Sequence, residues 1–242
     1  MQAKGILNES FDDGSNSNLD TETASDDVPS RCRLLKVHLK PGISGVHFSA
    51  IVMLYIAAGT LLLVQTTFLV YALRHEDYYD VPKDTIGSTA GDVVFYSELG
   101  VVCGIGLALG VLMDVVGPRI IIGGSLLISS AATASVPYGT SPLPFLVFMR
   151  LAILVGLIMS LANPLCIDYV THDSQGIANG WLHITLVLSI MLTNLVFFEV
   201  AKQSNLTVAF LGCACLFFLI AVFVLFVVVN VRRGLDSDRS LH

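Results

Sequence analysis

GVLMDVVGPR, residues 110–119, is a tight polar turn between two runs too apolar to be anything but membrane helices. A connection this short forces its flanking helices into an antiparallel pair. Asp114 stands where the first of them leaves the membrane, and Gly117 and Pro118 break it. Proline removes a backbone donor and its ring clashes with the preceding turn, so helices stop or start there. Arg119 sets a fixed positive charge at the water boundary, on the side where such charges accumulate.

Composition agrees with that reading. Of 242 residues, 54% are hydrophobic and 13% charged, which is far from a soluble domain. Between Ile120 and Met149 there is no Asp, Glu, Lys or Arg at all. The net charge of −6 comes largely from the first thirty residues, where Asp12, Asp13, Asp20, Glu22, Asp26 and Asp27 face a single Lys4. That stretch reads as a disordered acidic tail, and it offers nothing to nucleic acid. No basic region followed by an apolar core opens the chain, so no cleaved signal peptide is expected. Cys32, Cys103, Cys166, Cys213 and Cys215 show no metal-type spacing and no paired loops. Neither a metal site, a cofactor nor a disulfide framework is indicated.

Six apolar segments follow, at about 48–73, 93–113, 119–137, 143–166, 178–200 and 207–231. Each approaches the roughly 20 residues that cross a bilayer as a helix. The expected organisation is a tail over 1–44 ending in a basic juxtamembrane run, a six-helix membrane domain over 45–233, and a short tail over 234–242. With the N-terminus in the cytosol, Arg31, Arg33, Lys36, Lys40, Arg119, Arg232, Arg233 and Arg239 fall inside, and Arg74, Lys83 and Lys202 outside. The positive-inside rule therefore puts both termini in the cytosol. A glycosylation sequon at Asn205-Leu206-Thr207 falls on the outer side in this topology.

Charged and polar groups inside such helices are costly and mark function. Glu98 and Arg150 enter from the same side and lie at similar depth, roughly 8–10 Å below the boundary at ~1.5 Å per residue. That depth is compatible with an ion pair or a shared aqueous pocket, and equally with an interfacial Glu98 and an Arg150 that snorkels outward. Gln65, Asn163, His183 and Asn194 are further candidates to line a path, with hydrogen bonding between helices as the plainer role for each. Gly100, Gly104, Gly106 and Gly110 on helix 2 form overlapping small-residue patterns, expected to pack against a neighbour in the same bundle. Helices 3 and 6 lack strongly polar residues and are expected to border lipid, with helices 1, 2, 4 and 5 inside.

That division resembles one six-helix half of a major facilitator transporter, over about residues 45 to 233. Two stretches carry the resemblance. One is Gly110-x3-Asp114-x2-Gly117-x-Arg119. The other runs from Phe148-Met149-Arg150 through Gly156, Asn163-Pro164 and Asp168-Tyr169 to Gly176-x-Ala178-Asn179-Gly180. The resemblance implies that Asp114 and Arg119 belong to a cytosolic charge cluster stabilising an outward-open state, with Asp168 as a partner of Arg119. It likewise implies a link between Arg150 and proton coupling. The chain departs from the family at Pro118, at Ile153 where a glutamine is common, and in lacking the Gly-Pro-rich antiporter pattern of helix 5. Family members carry two such halves, with substrate bound between them. This chain is therefore expected to be part of a longer transporter or to dimerise.

The expected function is transport of a small solute by alternating access; the alternative is a non-transporting six-helix protein with a binding or assembly role. No catalytic constellation with convincing spacing appears, and an enzyme is not expected. The expected partners are the lipid bilayer, a small-molecule solute, and a second six-helix half or second copy.

Overall fold

The computed structural model describes residues 37–74, 79, 81–101, 104, 106–139, 142–161 and 165–228. Residues 1–36 of the tail, with Arg31, Arg33 and Lys36, as well as Arg232, Arg233 and Arg239, Cys103 and Asn163-Pro164, lie outside the described residues.

The described chain is helical. α1 (Gly45–Leu63) passes through a π-helical turn (Val64–Phe68) into α2 (Leu69–Arg74). α3 (Ile86–Gly100) and α4 (Gly106–Val116) follow, then α5 (Pro118–Ser135), α6 (Val147–Leu161), α7 (Leu165–Tyr169), α8 (Gln175–Gln203) and α9 (Leu206–Val227). Among the described residues five stretches are long and apolar enough to cross a membrane: Gly45–Arg74, Pro118–Tyr138, Pro142–Tyr169, His172–Gln203 and Leu206–Val227. The segment expected at 93–113 is described as two shorter helices, α3 and α4. Residues 102, 103 and 105, between the two, lie outside the described residues, and Val101 and Gly104 are π-helical.

The opening turn is tighter than its sequence requires. A single residue, Gly117, separates α4 from α5, with φ 101° and ψ 150°. A side chain would be strained at that φ, and Pro118 takes the first position of α5, where its missing N–H costs nothing.

Packing corrects the expected inside–outside order. The apolar stretch of Pro118–Tyr138, expected to face lipid, is 56% buried, whereas that of His172–Gln203, expected inside, is 11% buried. α5 packs against α6 and α9, while α1 packs against α8, α6 and α9. The reason lies in residue size. In lipid no hydrophobic force drives helices together, so association depends on close backbone approach and interhelical hydrogen bonds. α5 buries Gly123, Ser125, Ser129, Ser130, Ala132 and Thr133. Ser129 Oγ donates to the Ala152 carbonyl of α6 at 2.9 Å, and Ser130 Oγ to the Ala214 carbonyl of α9 at 2.7 Å. Such bonds contribute about 0.6 kcal/mol each on average.

α1 meets α8 in the same way. Ser189 Oγ donates to the Ile56 carbonyl at 2.8 Å, and the Thr60 and Thr193 hydroxyls share a bond at 3.0 Å. The helix 2 glycines follow a different rule from the one expected. A Cβ at Gly100 would touch Leu151 at 3.2 Å, but at Gly104 or Gly110 it would meet nothing within 4 Å.

Two clasps close the ends of the bundle. At one end the segment before α1 crosses under α7. Lys40 N–H donates to the Tyr169 carbonyl at 2.9 Å, Thr171 N–H to the His38 carbonyl at 3.0 Å, and Lys40 Nζ to the Ile167 carbonyl at 2.8 Å. At the other, buried Tyr79 donates its hydroxyl to the Val136 carbonyl. Burial pushes this phenol well above its ordinary pKa.

Candidate functional site

Arg150 is the best-buried charge among the described residues, with 2% of its surface exposed. α6 carries it against the first span and α3, and every arm of the guanidinium has an acceptor. Nε donates to the Gln65 carbonyl at 3.1 Å, and Nη1 to the Val94 carbonyl at 3.1 Å and to Ser97 Oγ. Nη2 meets Glu98 Oε1 at 3.3 Å. The Ser97 hydroxyl passes its own proton to the Val93 carbonyl at 2.7 Å. A planar fork of donors suits such divergent acceptors better than an ammonium does.

The backbone of the first span is shaped to this contact. In an unbroken α-helix the Leu69 N–H would bond the Gln65 carbonyl; here it bonds Thr66 instead. The Gln65 carbonyl thereby serves Arg150. Insertions of this kind inside α-helices recur at functional sites. The Glu98 carboxylate is 60% exposed, so the cluster presents an acidic face outward while keeping its cation buried. Exposed ion pairs contribute little energy, so the neutral acceptors do most of the anchoring.

Beside the cluster a cleft of about 450 Å³ opens along the first span, lined by Gln65, Thr66, Tyr71, Arg74, Val94 and Phe198 among others. Gln65 is buried and its Oε1 has no hydrogen-bond partner. Phe198 also borders a neighbouring cleft of about 400 Å³ that holds Asn194, Glu199 and Lys202. Asn194 Oδ1 is buried there, likewise unpartnered.

The structure thus brings Gln65, Glu98 and Arg150 together and sets Asn194 across Phe198 from them. His183 is elsewhere. It lies exposed on α8 against Tyr55, ring centroids 6.2 Å apart, and Tyr55 is ten residues before Gln65, a rise of about 15 Å. Asn163 lies outside the described residues. Ser97, Arg74 and Phe198 were not marked by the sequence. Ser97 carried a signal in hindsight, since it directly precedes Glu98 on a helix facing Arg150.

Arg119 Nε donates to the Leu225 carbonyl of α9 at 2.5 Å. Among the described residues no ion pair joins Arg119 to Asp168, which is half-buried beside the Lys40–Ile167 contact. Arg119 anchors α5 to the end of α9, the helix against which α5 packs most extensively. Arg119→Ala is expected to raise amide hydrogen exchange over 224–228 roughly tenfold, the loss of one charge-assisted bond. Unchanged exchange there would show that the bond anchors nothing.

No protein family, curated protein or solved structure matches this chain.

Proposed function

We propose that the chain moves a small solute across a membrane by alternating access, as one six-helix half resembling that of a major facilitator transporter. The observation that carries this reading is the Arg150 cluster: a buried cation in an apolar bundle, tied to two other helical segments and ending in an exposed carboxylate beside a solute-sized cleft. Intramembrane charges that face a cavity mark substrate and ion pathways. The same reading places α3 and α4 together as the sixth crossing, with both termini in the cytosol.

In this mechanism Arg150 holds α6 to the first span and α3 in one state, and solute binding in the cleft at Gln65 biases the clamp toward another. A ligand shifts such an equilibrium only by its differential affinity for the two states. The second half, or a second copy, closes the path against the exposed faces of α3, α4 and α8.

The test is uptake by proteoliposomes containing the purified chain, across a broad panel of small solutes. The expected result is saturable uptake of some member of the panel that Arg150→Lys reduces at least tenfold. Uptake at the empty-liposome rate for the whole panel overturns it. An assembly role is favoured instead by one observation, the open glycine and apolar surface of α4 and α8. In that case Leu188→Cys and Leu195→Cys crosslink between copies in membranes while flux stays at baseline.

A further inference from the structure

The cleft along the first span contains two groups that its own surroundings leave unmatched. Gln65 is 7% exposed, yet its Oε1 finds no partner. Its carbonyl is committed to Arg150, but its amide is not. Nine residues along the same helix, exposed Arg74 stands at the cleft's edge. Between them the wall is mostly apolar, with Leu69, Val70 and Val94 and with Phe198 edge-on to Tyr71 at 5.3 Å; Thr66 and Thr67 also line it, and the Thr66 hydroxyl donates to the Leu62 carbonyl. Among the described residues no Asp or Glu lines the cleft. Arg150, behind this wall, has its guanidinium turned to Val94, Ser97 and Glu98, so Arg74 is the cleft's own cation.

We propose that this cleft binds a small amphipathic carboxylate: the acid group on Arg74, an apolar body against Val70, Val94 and Phe198, and a hydroxyl or amide on the Gln65 side chain. Each part follows from the lining. A guanidinium fork matches the two oxygens of a carboxylate. A cation would meet Arg74 and find no counter-charge among the described lining residues. A wholly apolar ligand would leave the Gln65 amide oxygen buried and unbonded, which binding sites avoid. A hydroxyl both donates and accepts, so it satisfies the amide in either rotamer. Gln65 and Arg74 are about 13 Å apart along the helix, and their side chains shorten that to a body of a few carbons. The volume, about 450 Å³, lies within the range of small-molecule sites.

The inference rests on the transport reading for why such a site exists, but binding is measured without flux. The full chain in lipid nanodiscs is titrated calorimetrically with linear ω-hydroxycarboxylates from butanoate to octanoate, with the matching unsubstituted acids, and with the matching diols. Saturable binding with an optimum in chain length is expected, and the hydroxyl raises affinity roughly tenfold over the unsubstituted acid. Gln65→Leu erases the hydroxyl's advantage. Arg74→Gln weakens both kinds of acid roughly tenfold and does not weaken the diols. Gln65→Leu keeps the side-chain volume and Arg74 is exposed, so both variants retain the wild-type helical circular dichroism.

Dilution heats alone across the wild-type series overturn the proposal. So does a hydroxyl advantage that persists in Gln65→Leu, or acid binding indifferent to Arg74→Gln. If the acids bind but no solute is taken up by proteoliposomes, the site stands and the transport reading falls. If other solutes are taken up and no acid binds, transport stands and this site falls.

Discussion

Arg150→Ala is expected to destabilise the purified protein by roughly 2–4 kcal/mol, the cost of several charge-assisted bonds lost inside a bundle where each contributes modestly. The guanidinium links α6 to the Gln65 carbonyl on the first span and to Val94 and Ser97 on α3. Its removal takes the donors away from the Gln65 and Val94 carbonyls. Glu98→Gln is expected to cost under about 0.5 kcal/mol, because its carboxylate is largely exposed and screened. Arg150→Lys keeps the charge but cannot reach acceptors on two elements at once, and is expected to recover about half of the loss. Denaturant titration of the three variants in detergent measures this ranking. A Glu98→Gln cost equal to that of Arg150→Ala would show that the ion pair, not the neutral acceptors, holds the clamp.

Gly59→Leu is expected to have the largest effect on folding of any single change considered, about 3 kcal/mol or more. A Cβ at Gly59 would sit 2.9 Å from the Leu186 carbonyl and 2.9 Å from Ser189 Cβ. The first of these is backbone and cannot swing away, so α1 and α8 must separate. Separation breaks the Ser189–Ile56 and Thr60–Thr193 bonds as well. Gly156→Leu acts in the same direction, because its Cβ would enter the space of the Ser129 side chain, 3.3 Å from the Ser125 carbonyl. Gly110→Leu is the contrast, with open space around it and an expected cost below about 1 kcal/mol. The check is the yield of monodisperse protein and its melting temperature. Gly59→Leu melting like the wild type would refute the α1–α8 contact.

The Arg150–Glu98 contact was legible because depth along two helices follows from counting residues, and two charges at one depth in lipid find each other. The remaining acceptors were not legible. The Gln65 carbonyl becomes available through a π-helical turn, which no side-chain pattern announces, and Ser97 is one of many serines until α3 is laid beside α6. The unpartnered amide of Gln65 is likewise a property of its neighbours. Arg119 shows the converse case, a residue whose motif implied a charged partner and whose packing supplied a backbone carbonyl.

By itself the sequence determined that this chain is built of apolar helices, several long enough to cross a membrane, where most of them run, and that Gly117-Pro118 separates two of them. Those properties depend on composition and local backbone geometry, which need no partner. Tertiary structure alone decided which helices are interior: the span after the turn at Gly117 is buried and α8 is open, contrary to their polarity. In water, hydrophobicity separates inside from outside; in lipid it does not, and the separation passes to size complementarity between small residues on two different helices. Such complementarity belongs to pairs, such as Gly59 with Ser189 or Gly156 with Ser129, and becomes visible only once both members are in place.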